Sequence, residues 1–425
     1  MSDVTTYDVL IGEPPETVGK VRSTVVRTKE LSHFRYSDAW LQHPRSFALS
    51  PALPLTDHWQ HFAATAEDRG AALPGVFRDA APDAWGRSII ERSTGAHTET
   101  DFLLAVDDRT RLGALRFADG NGALLSSNEP PIPRLTDLRR LHTLCVALET
   151  GSADPRAIAR DLKGASASMG GARPKSVVVD EQGAMHLAKF TMTGDTRPVE
   201  RVEVATLALA AEVGLRVPTA RLADPGSAHP VALIERFDRV PGTNRRIHYM
   251  SAQTLLDSPH GEPRFYTGIA EALREVCRDG EKAVSELHEL HRRILFTILV
   301  SNADDHLKNH GLLYSPASGW ALSPAFDINP QPHRHARLKT GISELSGYEA
   351  DVEAWVGSAP FFELSEDRAR ETAASMGAKI TRRWQELLRA NGVTEAQCSE
   401  YAAAFEHKQM KVALGMARSK NGYSR

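Results

Sequence analysis

The sequence predicts an α+β chain, β-rich in its first part and all-helical in its last, with its chemistry gathered late. Alternating and β-branched apolar runs recur up to about residue 250. From about Ser251 onward, apolar residues spaced three and four apart take over. Directly behind the apolar run 294–300 comes Ser301-Asn302-Ala303-Asp304-Asp305-His306-Leu307-Lys308-Asn309, a density of polar groups unusual for a solvated loop.

The totals narrow the class. A chain of 425 residues suggests two or three structural units, since domains run to roughly 100–200 residues. Hydrophobic residues at 41% and charged residues at 25% describe a globular chain able to bury a large core. A net charge of -3 gives no global pull toward nucleic acid or membrane, and local basic clusters such as Arg139/Arg140 and Arg245/Arg246 read as solvated faces. Cys145, Cys277 and Cys398 are far apart, which argues against disulfides or zinc and fits a reducing cytoplasm. The first residues lack the basic-then-apolar order of a signal peptide, and no apolar run approaches the ~20 residues of a membrane span.

Taken in order, residues 4–11 read as a strand and 18–27 as its antiparallel partner, with Phe34, Tyr36, Phe47 and Leu49 continuing a small sheet. Residues 82–92 read as a helix with Trp85, Ile89 and Ile90 on one face. This β-rich part, 1–125, carries no evident chemistry and suits packing or partner docking. The Ser- and Pro-rich stretch 126–133 marks its end. A helix over 135–149 follows, with Cys145 in its apolar stripe.

In the second segment, 126–250, small residues run from Gly164 through Ser166, Ser168, Gly170, Gly171 and Ala172 to Lys175. Such residues let backbone N–H groups approach phosphate, and Lys175 adds charge. Two strands follow, 176–179 and 184–190, with Lys189 on the second and Glu203 near the start of a helix over 200–213. A glycine loop, a hairpin bearing Lys and a helix bearing Glu make up the ATP-binding lobe of a kinase-like fold. Strands over 216–222 and 230–234 lead to Glu235 and Phe237, where such a fold passes the adenine.

In the third segment, 251–425, helices over 268–277 and 282–300 deliver the polar stretch, and a hairpin over 311–314 and 320–322 leads to Ala325-Phe326-Asp327-Ile328-Asn329-Pro330. A carboxylate, an amide and a later carboxylate suit holding Mg²⁺ against a triphosphate while one acid takes a proton. The resulting expectation is a two-lobed protein-kinase-like fold, and the family resemblance given below implies its phosphatidylinositol-kinase-like form with an extra N-terminal subdomain. Helices fill 367–416 without evident chemistry.

Ser168 to Lys175, Glu235-Arg236-Phe237-Asp238-Arg239, Asn302 to Asn309 and Ala325 to Pro330 together resemble the HipA-like serine/threonine kinases, toxins of bacterial toxin–antitoxin pairs. The resemblance implies Asp304 as acid–base residue, Asn309 and Asp327 as Mg²⁺ ligands, and Lys189 at the ATP phosphates. It places Gly170, Gly171, Ala172 and Lys175 in the phosphate loop, with Glu203, Glu235, Phe237, His306 and Lys308 around the nucleotide. His306 orients the loop. It also implies autophosphorylation of Ser168 or Ser166, a translation component as substrate, a HipB-like helix-turn-helix antitoxin and, through that antitoxin, operator DNA. Two rivals from other classes are a metal hydrolase using His306, His310 and Asp304, and an inert kinase-fold scaffold binding antitoxin and DNA.

Overall fold

The structure, a computed structural model, describes residues 4–126, 131–152, 154–163, 171–224, 226, 229–257, 263–332 and 337–417. The chain divides into two compact units, one of 1–194 with 223–261, the other of 195–222 with 262–425. The first unit therefore joins the segment expected at 1–125 with most of the one expected at 126–250.

The first unit opens with an antiparallel sheet of five strands, ordered Gln60–Ala63, Lys29–Tyr36, Glu16–Val26, Thr5–Ile11 and Leu115–Ala118. Period-two alternation turns Phe34 and Tyr36 inward, and Phe34, Phe77 and Phe117 meet edge to face at 5.4 Å. Gly19 lies opposite Tyr36, and any Cβ there would come within 2.3 Å of the Arg35 carbonyl. Phe47 and Leu49 are buried as expected but lie outside any strand. The Tyr36 hydroxyl holds their loop, accepting from Leu49 N–H at 2.9 Å and donating to the Leu53 carbonyl at 2.8 Å.

Later in this unit, Lys175–Val179 and Met185–Lys189 form a hairpin, and Val231–Glu235 adds antiparallel to its second strand. Asp180 fixes the turn by accepting from the N–H groups of Gln182 and Ala184. Trp85 and Ile89 of the helix Ala84–Thr94, Leu141 and Cys145 of Leu138–Thr150, and Ile158 of Pro155–Lys163 pack with Val178, Ala188 and Leu233 in one core. Cys145 is thus a core residue, and burial pushes its thiol pKa up, away from nucleophile behaviour.

The second unit is mainly helical. Gly280–Leu299, capped by Asp279, is its central helix; Leu287, Leu290, Ile294 and Ile298 are buried along it. Val199–Glu212 packs against the long helix Glu366–Ala390, where Arg383 forks onto both oxygens of Glu212 at 2.8 Å. The hairpin Gly311–Ser315 with Gly319–Leu322 forms as expected. Gly319 has φ +72, and a Cβ would meet the Val276 carbonyl at 2.5 Å, so glycine is required there. Among the described residues no helix is long and apolar enough to cross a membrane.

Two buried histidines give an acid response. Burial pushes His291 down to about 3 and His248 down to about 4, although each has a backbone carbonyl to bond, Trp355 O at 3.2 Å and Leu49 O at 3.1 Å. Both pKa values fall on folding, so below the ordinary value near 6.5 the unfolded chain takes up protons that the folded chain refuses. Stability present at pH 7 is expected to decline by about 1.4 kcal/mol per pH unit per histidine until about pH 4. Urea midpoints at pH 7 and pH 5 measure it. An equal acid loss in the double variant His248→Gln/His291→Gln would assign the effect to other groups.

Candidate active site

The polar stretch begins where the central helix stops. Ser301 takes φ +54, a left-handed conformation rare outside glycine, and its hydroxyl donates to the Ala404 carbonyl at 3.0 Å. The next carboxylates divide their roles by exposure. Asp304 faces solvent, while Asp305 is buried. Asp305 accepts from Tyr266 OH at 2.5 Å and from Thr297 Oγ1 at 3.2 Å, and it pairs with His310 Nε2 at 3.1 Å. Its carbonyl accepts from Thr340 Oγ1 at 2.8 Å. Burial alone would raise the Asp305 pKa, but the His310 charge and these hydrogen bonds outweigh it and hold the carboxyl ionised below its usual range. Asp305 is therefore the internal anchor of the loop, a role that its sequence position beside Asp304 did not reveal.

The second acidic stretch is bonded onto the first. Asn329 N–H donates to Asn302 Oδ1 at 3.2 Å, and Gln331 N–H donates to the Ser301 carbonyl at 3.1 Å. Asp327 lies between this attachment and the hairpin, at φ +58, and its Oδ1 accepts from Asn329 Nδ2 at 3.2 Å. A left-handed non-glycine residue on each stretch is the kind of backbone strain that collects at functional sites. Asn309 is buried and donates its amide nitrogen to the Asp304 carbonyl at 3.4 Å, a long bond that turns Oδ1 the other way. His306 joins the same turn through its backbone, donating to Asp304 O at 2.9 Å and accepting from Asn309 N–H at 2.8 Å. Lys308 is exposed. The donors offered by Asn309 and Asp327 are hard oxygens, the type that suits Mg²⁺.

The rival hydrolase site is not assembled. Leu307–Asn309 is a 3₁₀ turn, and His310 is committed to Asp305. Among the described residues no group of three or more His, Cys, Asp or Glu side chains could hold a metal ion.

The first unit carries the other expected site residues. Lys189 is buried at the end of its strand, opposite Lys175 on one side and Ala232 on the other. Gly171 and Ala172 are exposed; Ser166, Ser168 and Gly170 lie outside the described residues. Lys175 differs from expectation. It is buried at 2% exposure, and its ammonium is 2.6 Å from Asp83 Oδ2 and 2.9 Å from the Gly171 carbonyl. Asp83 also caps the helix Ala84–Thr94, and the indole of Trp85 donates to the Lys175 carbonyl at 3.0 Å. The lysine thus fastens the end of the glycine-rich stretch to that helix. Proximity to the glycines in sequence hid its carboxylate partner. Glu203, in the second unit, is buried on Val199–Glu212.

Beyond Glu235 and Phe237, both half-buried, the chain enters a buried ionic network. Asp238 receives Arg236 through both oxygens at 2.9 and 2.6 Å, Arg239 at 2.6 Å and Gly113 N–H at 2.7 Å. The two guanidiniums also donate to the carbonyls of Thr110 and Arg111. Burial alone would raise the Asp238 pKa, but the two arginines hold it far below the usual carboxylate range.

Comparison with known proteins agrees with this architecture. Residues 167–384 match the HipA-like C-terminal domain and 8–118 match the HipA N-terminal domain. A Sinorhizobium fredii protein, Y4mE, provisionally named a kinase, is 27% identical over 327 residues, covering 69% of this chain and 71% of its own. A second from that organism, Y4dM, with the same kind of name, is 25% identical over 343 residues, covering 77% and 78%. In fold, the chain superposes on Shewanella oneidensis HipA, solved with HipB and operator DNA, with a TM-score of 0.67 at 17% identity over 98% of this chain and 100% of that one. The α+β, two-lobed kinase-like fold expected from the sequence is thereby found, and the chain belongs to the HipA family.

Proposed function

We propose that the protein is an ATP- and Mg²⁺-dependent serine/threonine protein kinase acting as the toxin of a toxin–antitoxin pair. The observation that carries this reading is the attachment of Asn329 and Gln331 to Asn302 and Ser301, which ties the Asp327 stretch to the residues just before Asp304. The kinase names of the Sinorhizobium relatives and the HipB-bound Shewanella fold support it.

In this reading Asp304, exposed and held by a rigid neighbour, accepts the proton of a substrate hydroxyl. The freed oxygen attacks the γ-phosphorus, the bond to the bridging oxygen breaks, and ADP leaves. Asn309 and Asp327 would hold Mg²⁺, which would supply positive charge against the phosphates. Lys189 binds the phosphates with Gly170, Gly171 and Ala172, paired functionally with Glu203. Glu235 and Phe237 take the adenine, with His306 and Lys308 completing the nucleotide's surroundings. Lys175 serves the loop by anchoring its end. A HipB-like antitoxin, operator DNA through that antitoxin, and a translation component such as an aminoacyl-tRNA synthetase complete the proposed setting, in the cytoplasm.

Incubation of the purified protein with radiolabelled ATP and Mg²⁺ tests the reading. Self-labelling at Ser166 or Ser168, lost on chelation, is the expected result. Absence of both self-labelling and nucleotide binding would favour the scaffold alternative.

A further inference from the structure

We propose that an arginine-lined pocket within the first unit is a binding site for a small phosphorylated anion. The pocket encloses about 370 Å³, a volume typical of small-ligand sites, which span roughly 300–1,000 Å³. Arg109, Arg116, Arg236, Arg239 and Arg246 line it, against Glu13 and Glu235. The hairpin turn at 183–185 forms one wall. The loop 240–244 forms another, projecting between Arg239 and Arg246, whose backbones bridge.

Among the described residues, Arg109, Arg116, Arg236, Arg239 and Arg246 stand with the carboxylates of Asp107, Asp108, Asp238, Glu13 and Glu235, and buried Arg111 adds a further cation that donates to the carbonyls of Ala80, Leu103 and Val106. Buried charge of one sign is costly unless paired. Arg246 is the least satisfied. Its side chain is 5% exposed, its Nη2 reaches Asp108 Oδ2 at 2.9 Å, and its Nη1 is buried with no hydrogen-bond partner among the described residues. Asp108 cannot serve it fully, because both of its oxygens already receive Arg116. Burial lowers the pKa of Arg246, Asp108 opposes that, and the fields of Arg116 and Arg236 add to the lowering. Burial likewise brings Arg239 down to about 9, against Asp238 and with Arg236 and Arg246. A phosphate oxyanion supplies negative charge and paired acceptors that planar guanidinium forks match.

The guanidiniums form the polar side of the pocket, beside apolar Ile132, Ala184, Met185, Val240 and Pro241. Neither Lys189 nor Gly171 lines it. Glu235 faces His186 in the strand ladder, three pairs along from Lys189 and Ala232, or ~10 Å at ~3.3 Å per residue. Glu235 is shared with the proposed adenine contact, so binding of the anion in the presence of an ATP analogue is what separates the two sites.

Titration of the full-length protein with inorganic pyrophosphate and with orthophosphate, by calorimetry and by thermal shift, tests it. Each titration is run without and with a saturating non-hydrolysable ATP analogue and Mg²⁺. The expected result is saturable binding that raises Tm and survives the analogue. Arg246→Gln is expected to weaken it about 10–100-fold, the loss of charge-assisted hydrogen bonds. Asn244→Glu, on the exposed rim, places a like charge near the anion without touching the buried network. It is expected to weaken binding roughly 2–5-fold, and it decides the matter should Arg246→Gln not fold. No saturable binding, binding indifferent to the variants, or binding abolished by the analogue would each overturn the proposal. Failure of the analogue itself to bind would count against the nucleotide reading alone.

Discussion

Asp304→Asn is expected to slow phosphoryl transfer by about 10²–10⁴-fold, equivalent to ~3–5 kcal/mol of barrier, because a positioned base contributes that much. The substitution is nearly isosteric, and the carboxylate it removes faces solvent. The hydrogen bonds that shape the turn around Asp304 use its backbone carbonyl, which accepts from His306 N–H and from Asn309 Nδ2. They survive the change, and Asp305 continues to anchor the loop. Thermal stability and affinity for an ATP analogue should stay close to those of the parent. Single-turnover transfer from labelled ATP measures the chemical step directly. Transfer at the parental rate by the folded variant would remove Asp304 from the role of base and with it the proposed mechanism.

The largest structural effect is expected from Asp238→Ala. This side chain has no exposure and holds Arg236, itself fully buried, and Arg239. Removing one partner of a buried ion pair typically costs ~3–5 kcal/mol, since the remaining charge stays in a dry interior. Here two guanidiniums lose their carboxylate and Gly113 N–H loses its acceptor, so the loss lies at or above the top of that range. Against a typical domain stability of about 5–15 kcal/mol, much of the protein is expected to be insoluble or to unfold at low urea. Urea melts of Asp238→Ala, of Arg236→Met and of the double variant form a thermodynamic cycle. A double variant nearer the parent than Asp238→Ala locates the cost in stranded charge. A change below about 1 kcal/mol in Asp238→Ala, the size of an exposed pair, would mean that the network does not hold the fold.

The candidate active-site stretch stands out in the sequence because its polar residues are local. Asp304, Asn309 and the turn joining them lie within a few residues behind an apolar helix end, and Asp327 follows after a short hairpin whose turn residues are plain. The long helices were legible by apolar spacing, as in Gly280–Leu299 and Glu366–Ala390. What escaped was whatever depended on distant partners. Asp305 could not be told from Asp304 by residue type; Tyr266, Thr297 and Thr340 mark it as internal, and they come from three separate places in the chain. Lys175 looked like a loop cation until Asp83, 92 residues earlier, was found against it. The helix Glu99–Ala105 also went unseen. It is short, and its N-terminus is held by a buried glutamate on another strand: Glu30 accepts from the N–H groups of Glu99 and Thr100.

The pairing of Lys175 with Asp83, and of Arg236 and Arg239 with the carbonyls near Arg111, has a consequence for heredity. The two family segments are drawn as separable modules, but each ends in half of a bond that the other completes. A fragment starting near residue 167 would strand Lys175 without its carboxylate and leave Arg236 and Arg239 short of carbonyl acceptors, while one ending near 118 would leave Asp83 and several carbonyls without their donors. Exchange of the leading segment between relatives can succeed only when both sets of complementary residues travel together, so the two segments are bound to evolve as one.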